Sequence, residues 1–151
     1  MPYHRQKKAY TCGPASMRIV LGQLGIKYSE EILARMLRTK PCCGTRFKPF
    51  SMVAKSLGLS YIEKRNASTR DLRGLLGQGY GIIVCYLDST DKRNIWDHYS
   101  VVRKLDNCNI HFLDPWHGPR KKFSLRHFRR IWISRKNRPD KADGWLIAIR
   151  R

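Results

Sequence analysis

Residues 81–87, Gly-Ile-Ile-Val-Cys-Tyr-Leu, form an unbroken apolar run in a chain that elsewhere mixes charge into most segments. Seven residues fall far short of the roughly 20 needed to span a bilayer. The run is short and bounded by glycine, which favours a strand over a helix, and with no polar face it reads as a strand buried on both sides. Such a strand needs a core around it. The sequence of 151 residues shows no repeat, no low-complexity stretch and no Pro/Gly/Ser-rich linker, so the expectation is a single domain spanning 1–151. With 42% hydrophobic and 11% aromatic residues, a disordered basic tail is excluded.

Around that strand the first third of the chain reads helical. Gly13-Pro14 opens a run carrying Val20, Leu21 and Leu24 at helical spacing, which stops at Gly25. Ser29 caps a second helix, with Glu30 and Glu31 in its first turn and Ile32, Leu33, Met36 and Leu37 on one face. A third spans Ser51 to Leu57, and Ser68 or Thr69 starts a brief one carrying Leu72, Leu75 and Leu76. Strands are expected at 60–64, at 99–105 and 110–113 as a hairpin around Asp106-Asn107, and at 145–149. Ser124 caps a last helix whose Leu125, Phe128, Ile131 and Trp132 share a face. Helices first and an antiparallel sheet afterwards define an α+β domain.

The charge is extreme: 31 Lys+Arg against 11 Asp+Glu leave a formal +20. That is the footprint of a phosphate binder, but net charge alone informs solubility and non-specific attraction. The opening residues, Met-Pro-Tyr-His-Arg-Gln-Lys-Lys, hold no apolar stretch, so no signal peptide or transmembrane segment is expected and a cytoplasmic, reducing setting is the default. Of the five cysteines, Cys42-Cys43 has poor spacing for a metal, and Cys42, Cys43, Cys85 and Cys108 read as small buried hydrophobes. No metal or cofactor is expected.

Cys12 differs from the others. It precedes Gly13-Pro14 at the N-terminal edge of the first helix, where unpaired N–H groups and the helix dipole favour a thiolate, and Lys7 and Lys8 act in the same direction. His98 and Asp114 flank the expected hairpin. Their numbers sum to 212, so an odd-length loop puts them opposite or diagonal on one face, about 5–8 Å apart between Cβ atoms. A two-residue loop puts them on opposite faces. On the first register Asp114 fixes the tautomer of His98 and frees the other ring nitrogen to act toward a thiol. Asp114 before Pro115 also suits a plain turn. Gln6, six positions before Cys12, offers an amide donor that could join the Cys12 N–H in holding an oxyanion.

Gln6…Tyr10-Thr11-Cys12-Gly13-Pro14-Ala15, Asp97-His98-Tyr99-Ser100-Val101-Val102 and Phe112-Leu113-Asp114-Pro115-Trp116 together resemble the bacteriocin-processing (double-glycine leader) cysteine peptidases and their stand-alone papain-like relatives. The likeness extends to Leu21-Gly22 through Ile32, to Gly44-Thr45 through Leu59, and to Ser124…Phe128…Trp132. It implies a papain-like fold with N-terminal helices packed on an antiparallel sheet. It also implies Cys12 as nucleophile, His98 as general base and acid, Asp114 as orienter and Gln6 as oxyanion donor. Such domains are often fused to peptide-exporting ABC transporters; here the expectation is one domain without that partner. The implied activity is a thiol-dependent peptidase or amidase working through an acyl-enzyme, on a peptide or protein substrate with small residues at the cut.

The segment 117–141 holds ten Lys/Arg and one Asp, interleaved with Phe123, Phe128 and Trp132. It could bind nucleic acid or another polyanion by phosphate contact and base stacking, or its aromatics could simply belong to the buried stripe. Two rival readings therefore stand beside the peptidase: a catalytically idle basic module, and a cysteine acyltransferase on the same fold. The charge also suits an acidic peptide substrate.

Overall fold

The computed structural model describes residues 2–151. In chain order the elements are α1 (Cys12–Gln23), α2 (Glu30–Met36), α3 (Lys48–Ser56), β1 (Ser60–Lys64), α4 (Thr69–Gly77), β2 (Gly81–Asp88), β3 (Trp96–Leu105), β4 (Asn109–Asp114), β5 (Gly118–Ser124), α5 (Leu125–Ile131) and β6 (Leu146–Arg150). The strands form one antiparallel sheet in the order β1-β6-β2-β3-β4-β5.

The apolar run becomes β2, an inner strand paired with β6 on one side and β3 on the other. Its side chains alternate between two cores. Ile83 and Cys85 pack with Met17, Val20 and Leu21 of α1, Leu33 of α2 and Phe50 of α3. Ile82, Val84 and Tyr86 pack with Leu72 and Leu75 of α4 and Leu125 and Phe128 of α5. Helices thus cover both faces of the sheet. The α+β class and the N-terminal helices on an antiparallel sheet hold, and α4 and α5 add a second layer that a helices-first order did not anticipate.

Local chemistry sets the helix starts. Ser29 accepts from the Ile32 N–H, Ser124 from the His127 N–H, and Ser68 forms a reciprocal capping box with Asp71. Ser68 is the cap and Thr69 the first helical residue. The third helix begins at Lys48 rather than Ser51, since Pro49 is well suited to a first turn. Sequence reading missed β5, whose Pro119 and Arg120-Lys121-Lys122 look unlike a strand. It lies at the sheet edge, where proline and lysine are tolerated and block further pairing.

The cysteines differ from expectation. Cys85 is buried, but Cys42, Cys43 and Cys108 are exposed, and Cys42 and Cys43 are bonded to each other in a surface turn closed by mutual Lys40–Gly44 backbone hydrogen bonds. Among the described residues no helix is long and apolar enough to cross a membrane.

Candidate active site

Cys12 is the first residue of α1 and is buried. Thr11 occupies the cap position without capping. Its hydroxyl turns back to accept from the Lys8 N–H at 3.1 Å and donate to the Lys8 carbonyl at 2.9 Å. The Cys12 N–H, one of the first-turn donors that a helix leaves unpaired, finds no acceptor among the described residues and stays available at the positive end of the helix. The sulfur accepts from the Tyr99 backbone N–H at 3.5 Å, which ties the helix start to β3. Gly13 lets Thr45 of the 41–46 turn pack against the helix start: a Cβ there would lie 2.5 Å from Thr45 Oγ1.

The register of β3 and β4 resolves how His98 meets Asp114. Next to the turn, Leu105 pairs with Ile110 and Lys104 with His111, an even-loop register that on its own would send His98 and Asp114 to opposite faces. A bulge between Val102 and Lys104 inserts Arg103 as an extra residue. Beyond it Val102 pairs with Phe112 and Val101 with Leu113. Parity is thereby restored: Asp114 falls opposite Ser100, and His98 lies diagonal to it on the same face. The loop length was the unfavourable one, and the bulge corrects it.

His98 Nε2 meets Asp114 Oδ1 at 2.8 Å, with both side chains wholly buried. Asp114 is held by four donors. Its Oδ1 also accepts from the N–H groups of Trp116 (3.0 Å) and His117 (2.9 Å), and its Oδ2 accepts from the Tyr86 hydroxyl at 2.7 Å. Burial alone would raise the Asp114 pKa, but His98, the His117 N–H and the Tyr86 hydroxyl outweigh it and hold the carboxyl well below its usual range. Burial alone would lower His98, yet Asp114, with a smaller contribution from the adjacent Cys12, pushes it up to about 10. The imidazolium is therefore favoured at neutral pH. His98 Nδ1 is buried without a hydrogen-bond partner, the nitrogen left over once Nε2 is committed to Asp114. Trp96 stacks over the His98 ring at 5.6 Å.

Gln6 is buried, and its backbone N–H donates to the Pro115 carbonyl at 2.9 Å, beside Asp114. Its amide nitrogen donates to the carbonyls of Lys8 (2.8 Å) and Ala9 (3.4 Å), and its Oε1 is buried without a partner. The side chain is thus anchored on the segment leading into Cys12, with one long contact.

A cleft of about 460 Å³ opens over Cys12, between the 41–46 turn and the 135–139 loop, with Tyr99 and Trp96 among its lining residues. Arg138 forms one wall, which sequence reading had merged into the basic segment. Its guanidinium lies 3.8 Å from the Phe47 ring centroid and donates to the Tyr99 hydroxyl (2.8 Å), the Thr45 carbonyl (3.0 Å) and Asp140 (2.6 Å). Its side chain is only 8% exposed, so it acts as a structural clamp. A lone arginine in a cationic run gives no sequence signal of this. The neighbouring groove, about 550 Å³, shares Tyr10 and Pro41 with the cleft. It carries Lys8, Arg35, Arg38 and Lys40, none of which has an ion-pair partner among the described residues.

In the basic 117–141 segment the aromatics pack inward, Phe123 being half-buried against the second core. Phe128 and Trp132 are buried in the second core, while Arg135, Arg138 and Lys141 are engaged with Asp97, Asp140 and Asp143. Among the described residues no group of three or more His, Cys, Asp or Glu side chains is placed to hold a metal ion.

A sequence profile described as the peptidase C39 family matches residues 1–135. An uncharacterized protein of Methanothermobacter marburgensis is 34% identical over 114 residues, which is 76% of this chain and 71% of that protein. Among solved structures, the peptidase domain of Streptococcus ComA, a bi-functional ABC transporter involved in a quorum sensing pathway, superposes with a TM-score of 0.74 at 22% identity. That match covers 97% of this chain and 95% of the other. A double glycine motif protease from an AMS/PCAT transporter, in complex with a leader peptide, gives a TM-score of 0.72 at 18% identity, covering 98% and 89%. At these identities the two structures share the fold with this chain.

Proposed function

The chain belongs to the peptidase C39 family, and we propose that it is a cysteine peptidase in which Cys12, His98 and Asp114 form the catalytic triad. The observation that carries this reading is the buried His98, bound through Nε2 to Asp114 and neighboured by Cys12, with its protonated form favoured.

In the proposed reaction the proton of Cys12 already rests on His98 Nδ1, and the thiolate sulfur attacks the substrate carbonyl carbon. A carbon–sulfur bond forms, and the carbonyl electron pair moves to oxygen. The Cys12 N–H, unpartnered at the helix start, stabilises that oxyanion. Gln6 Nε2 adds a second donor by releasing its long contact to Ala9. The tetrahedral species collapses as His98 protonates the departing amine and the carbon–nitrogen bond breaks, leaving a thioester. Water then attacks the thioester and gives a proton to His98, and the carbon–sulfur bond breaks to release the acid and leave the sulfur as thiolate beside the protonated His98. Asp114 stays ionised throughout and holds the ring orientation.

The proposed substrate is a peptide or protein segment with small residues at the cut, by analogy with the double glycine motif protease, and with carboxylates lying along the Lys8–Arg35–Arg38–Lys40 groove. Turnover of a peptide library tests this. Peptides cut after small residues, with acidic residues on one side of the cut, are expected to be hydrolysed best, and less efficiently as salt rises. Cys12→Ala and His98→Ala should each abolish turnover. Hydrolysis that persists in Cys12→Ala, or none with any peptide, overturns the proposal.

A further inference from the structure

Beside the His98–Asp114 pair lies a second imidazole–carboxylate pair for which the proposed chemistry has no use. At the end of β2, Asp88 is buried with 3% exposure. Its Oδ2 is bound by His117 Nε2 and its Oδ1 by the Thr90 N–H at 3.0 Å. His117 belongs to the tight turn that joins β4 to β5, in which Asp114 pairs with Gly118 and Gly118 takes a positive φ of 111°. The two pairs touch: the His117 ring packs edge-on against the His98 ring, with centroids 5.7 Å apart. They are also joined through the backbone, since the His117 N–H and the Trp116 N–H both donate to Asp114 Oδ1, the oxygen that binds His98.

We infer that His117 is a positioning residue: anchored on Asp88, it fixes the 114–118 turn so that the two amides hold Asp114 against His98, while its ring braces the His98 ring from the side. The inference rests on the triad reading and extends it to residues that touch neither substrate nor sulfur. The anchor is strong for its place. Burial opposes ionisation of Asp88, but His117 and the Thr90 N–H outweigh burial and keep the carboxyl well below its ordinary range, so the contact is charge-assisted on the acceptor side. The other charged groups facing this turn are Asp114 itself, His98 from β3 and Arg5, whose Nη1 donates to the Trp116 carbonyl at 2.7 Å. Asp114 has its own partners, so without His117 it would remain buried and ionised. What would be lost is the direction of the two amides, and with it the placement of the carboxylate toward Nε2. A misplacement of about 1 Å at a reacting centre costs on the order of 100-fold in rate.

The test follows Cys12 alkylation by iodoacetamide together with an NMR pH titration of the His98 ring, in the full chain and three variants. His117→Ala is expected to slow Cys12 alkylation roughly 10- to 100-fold near neutral pH and to lower the His98 titration midpoint. His117→Gln, whose amide can reach Asp88, should restore most of the rate, and Asp88→Asn should fall between. Thermal melts separate these effects from unfolding, because a merely structural role would lower the melting temperature and leave the His98 midpoint where it is. An unchanged His98 midpoint and alkylation rate in folded His117→Ala, or failure of His117→Gln to recover either, overturns the inference while the triad stands. If wild-type Cys12 reacts no faster than Cys108 and His98→Ala leaves its rate unaltered, the triad reading fails and this inference fails with it.

Discussion

Replacing Asp114 with Asn tests the physical core of the site, because it keeps the shape and removes the charge. The carboxylate accepts four hydrogen bonds, from His98, Tyr86 and the N–H groups of Trp116 and His117. An asparagine oxygen at the Oδ1 position can still accept the three bonds made there, and its NH₂ can donate to a Tyr86 hydroxyl that rotates to accept. Each bond then changes from charge-assisted, roughly 1.5–3 kcal/mol, to neutral, roughly 0.5–1.5 kcal/mol. With about 1 kcal/mol lost per bond, Asp114→Asn should cost roughly 3–4 kcal/mol, which for about 150 residues lowers Tm by on the order of 10 °C. The cost should depend on pH with a definite sign. Folding raises the His98 pKa from 6.5 to about 10. The stability it contributes is therefore complete below about pH 6.5 and drains away as pH rises toward 10. Denaturant unfolding of wild type and variant at pH 6 and pH 10 measures this, and the gap between them should be widest at pH 6. A variant within 0.5 kcal/mol of wild type at pH 6, an error-sized difference on the scale of surface substitutions, would refute the reasoning. So would a gap that is the same at both pH values.

Deleting Arg103 removes the bulge and joins Lys104–His111 and Val102–Phe112 into one regular ladder, so Asp114 should stay opposite Ser100 and His98 diagonal to it on the same face. Cys12 alkylation should therefore stay close to the wild-type rate, and a fall to the level of His98→Ala would contradict the register argument. Gly13→Ala places a methyl 2.5 Å from Thr45 Oγ1 and displaces a hydroxyl held by Thr39 at 2.7 Å. Thermal melts should show a loss of about 1–3 kcal/mol, recovered only in part by adding Thr45→Ala, because Thr45 Cβ and Phe50 Cζ still lie 3.0 and 3.3 Å from the new methyl. Arg138→Met strips the buried cation from Asp97 and Asp140 and should destabilise by about 3–5 kcal/mol, with the cleft wall loosened enough to accelerate iodoacetamide reaction at Cys85. If the melting temperature holds, Arg138 is not the clamp its contacts suggest.

Elements whose pattern is local were legible in the sequence. The run at 81–87 announced an inner strand, and Ser29, Ser68 and Ser124 marked helix starts, because an apolar period or a capping hydroxyl acts over a few residues. What escaped depends on distant partners. β5 is a strand only because β4 supplies the other half of its ladder and its outer edge faces solvent, which makes a Pro-Arg-Lys-Lys stretch acceptable. The bulge at Arg103 has no signature, yet it decides whether His98 and Asp114 meet. Cys12, His98, Asp114 and Gln6 were all named from sequence, the first three by residue type and place and Gln6 chiefly by its distance from Cys12. Tyr86 was read only as part of a buried strand, and its hydroxyl on Asp114 follows from the β2–β3 pairing that sets Tyr86 opposite His98. Arg138 and the Asp88–His117 pair were hidden for the same reason: burial, not composition, gives them their roles.

The most direct measurement is the rate of iodoacetamide modification at each free cysteine between pH 5 and pH 9, read by peptide mass spectrometry in wild type and in His98→Ala. Three thiols compete: Cys12, Cys85 and Cys108. Burial pushes the Cys85 thiol far up and keeps it inert, and Cys108 serves as the exposed reference. If Cys12 is a nucleophile paired with a protonated His98, it should be modified first, already at acidic pH, and lose that advantage in His98→Ala. Equal, slow modification of Cys12 and Cys108 that rises together only toward alkaline pH, with or without His98, would contradict it.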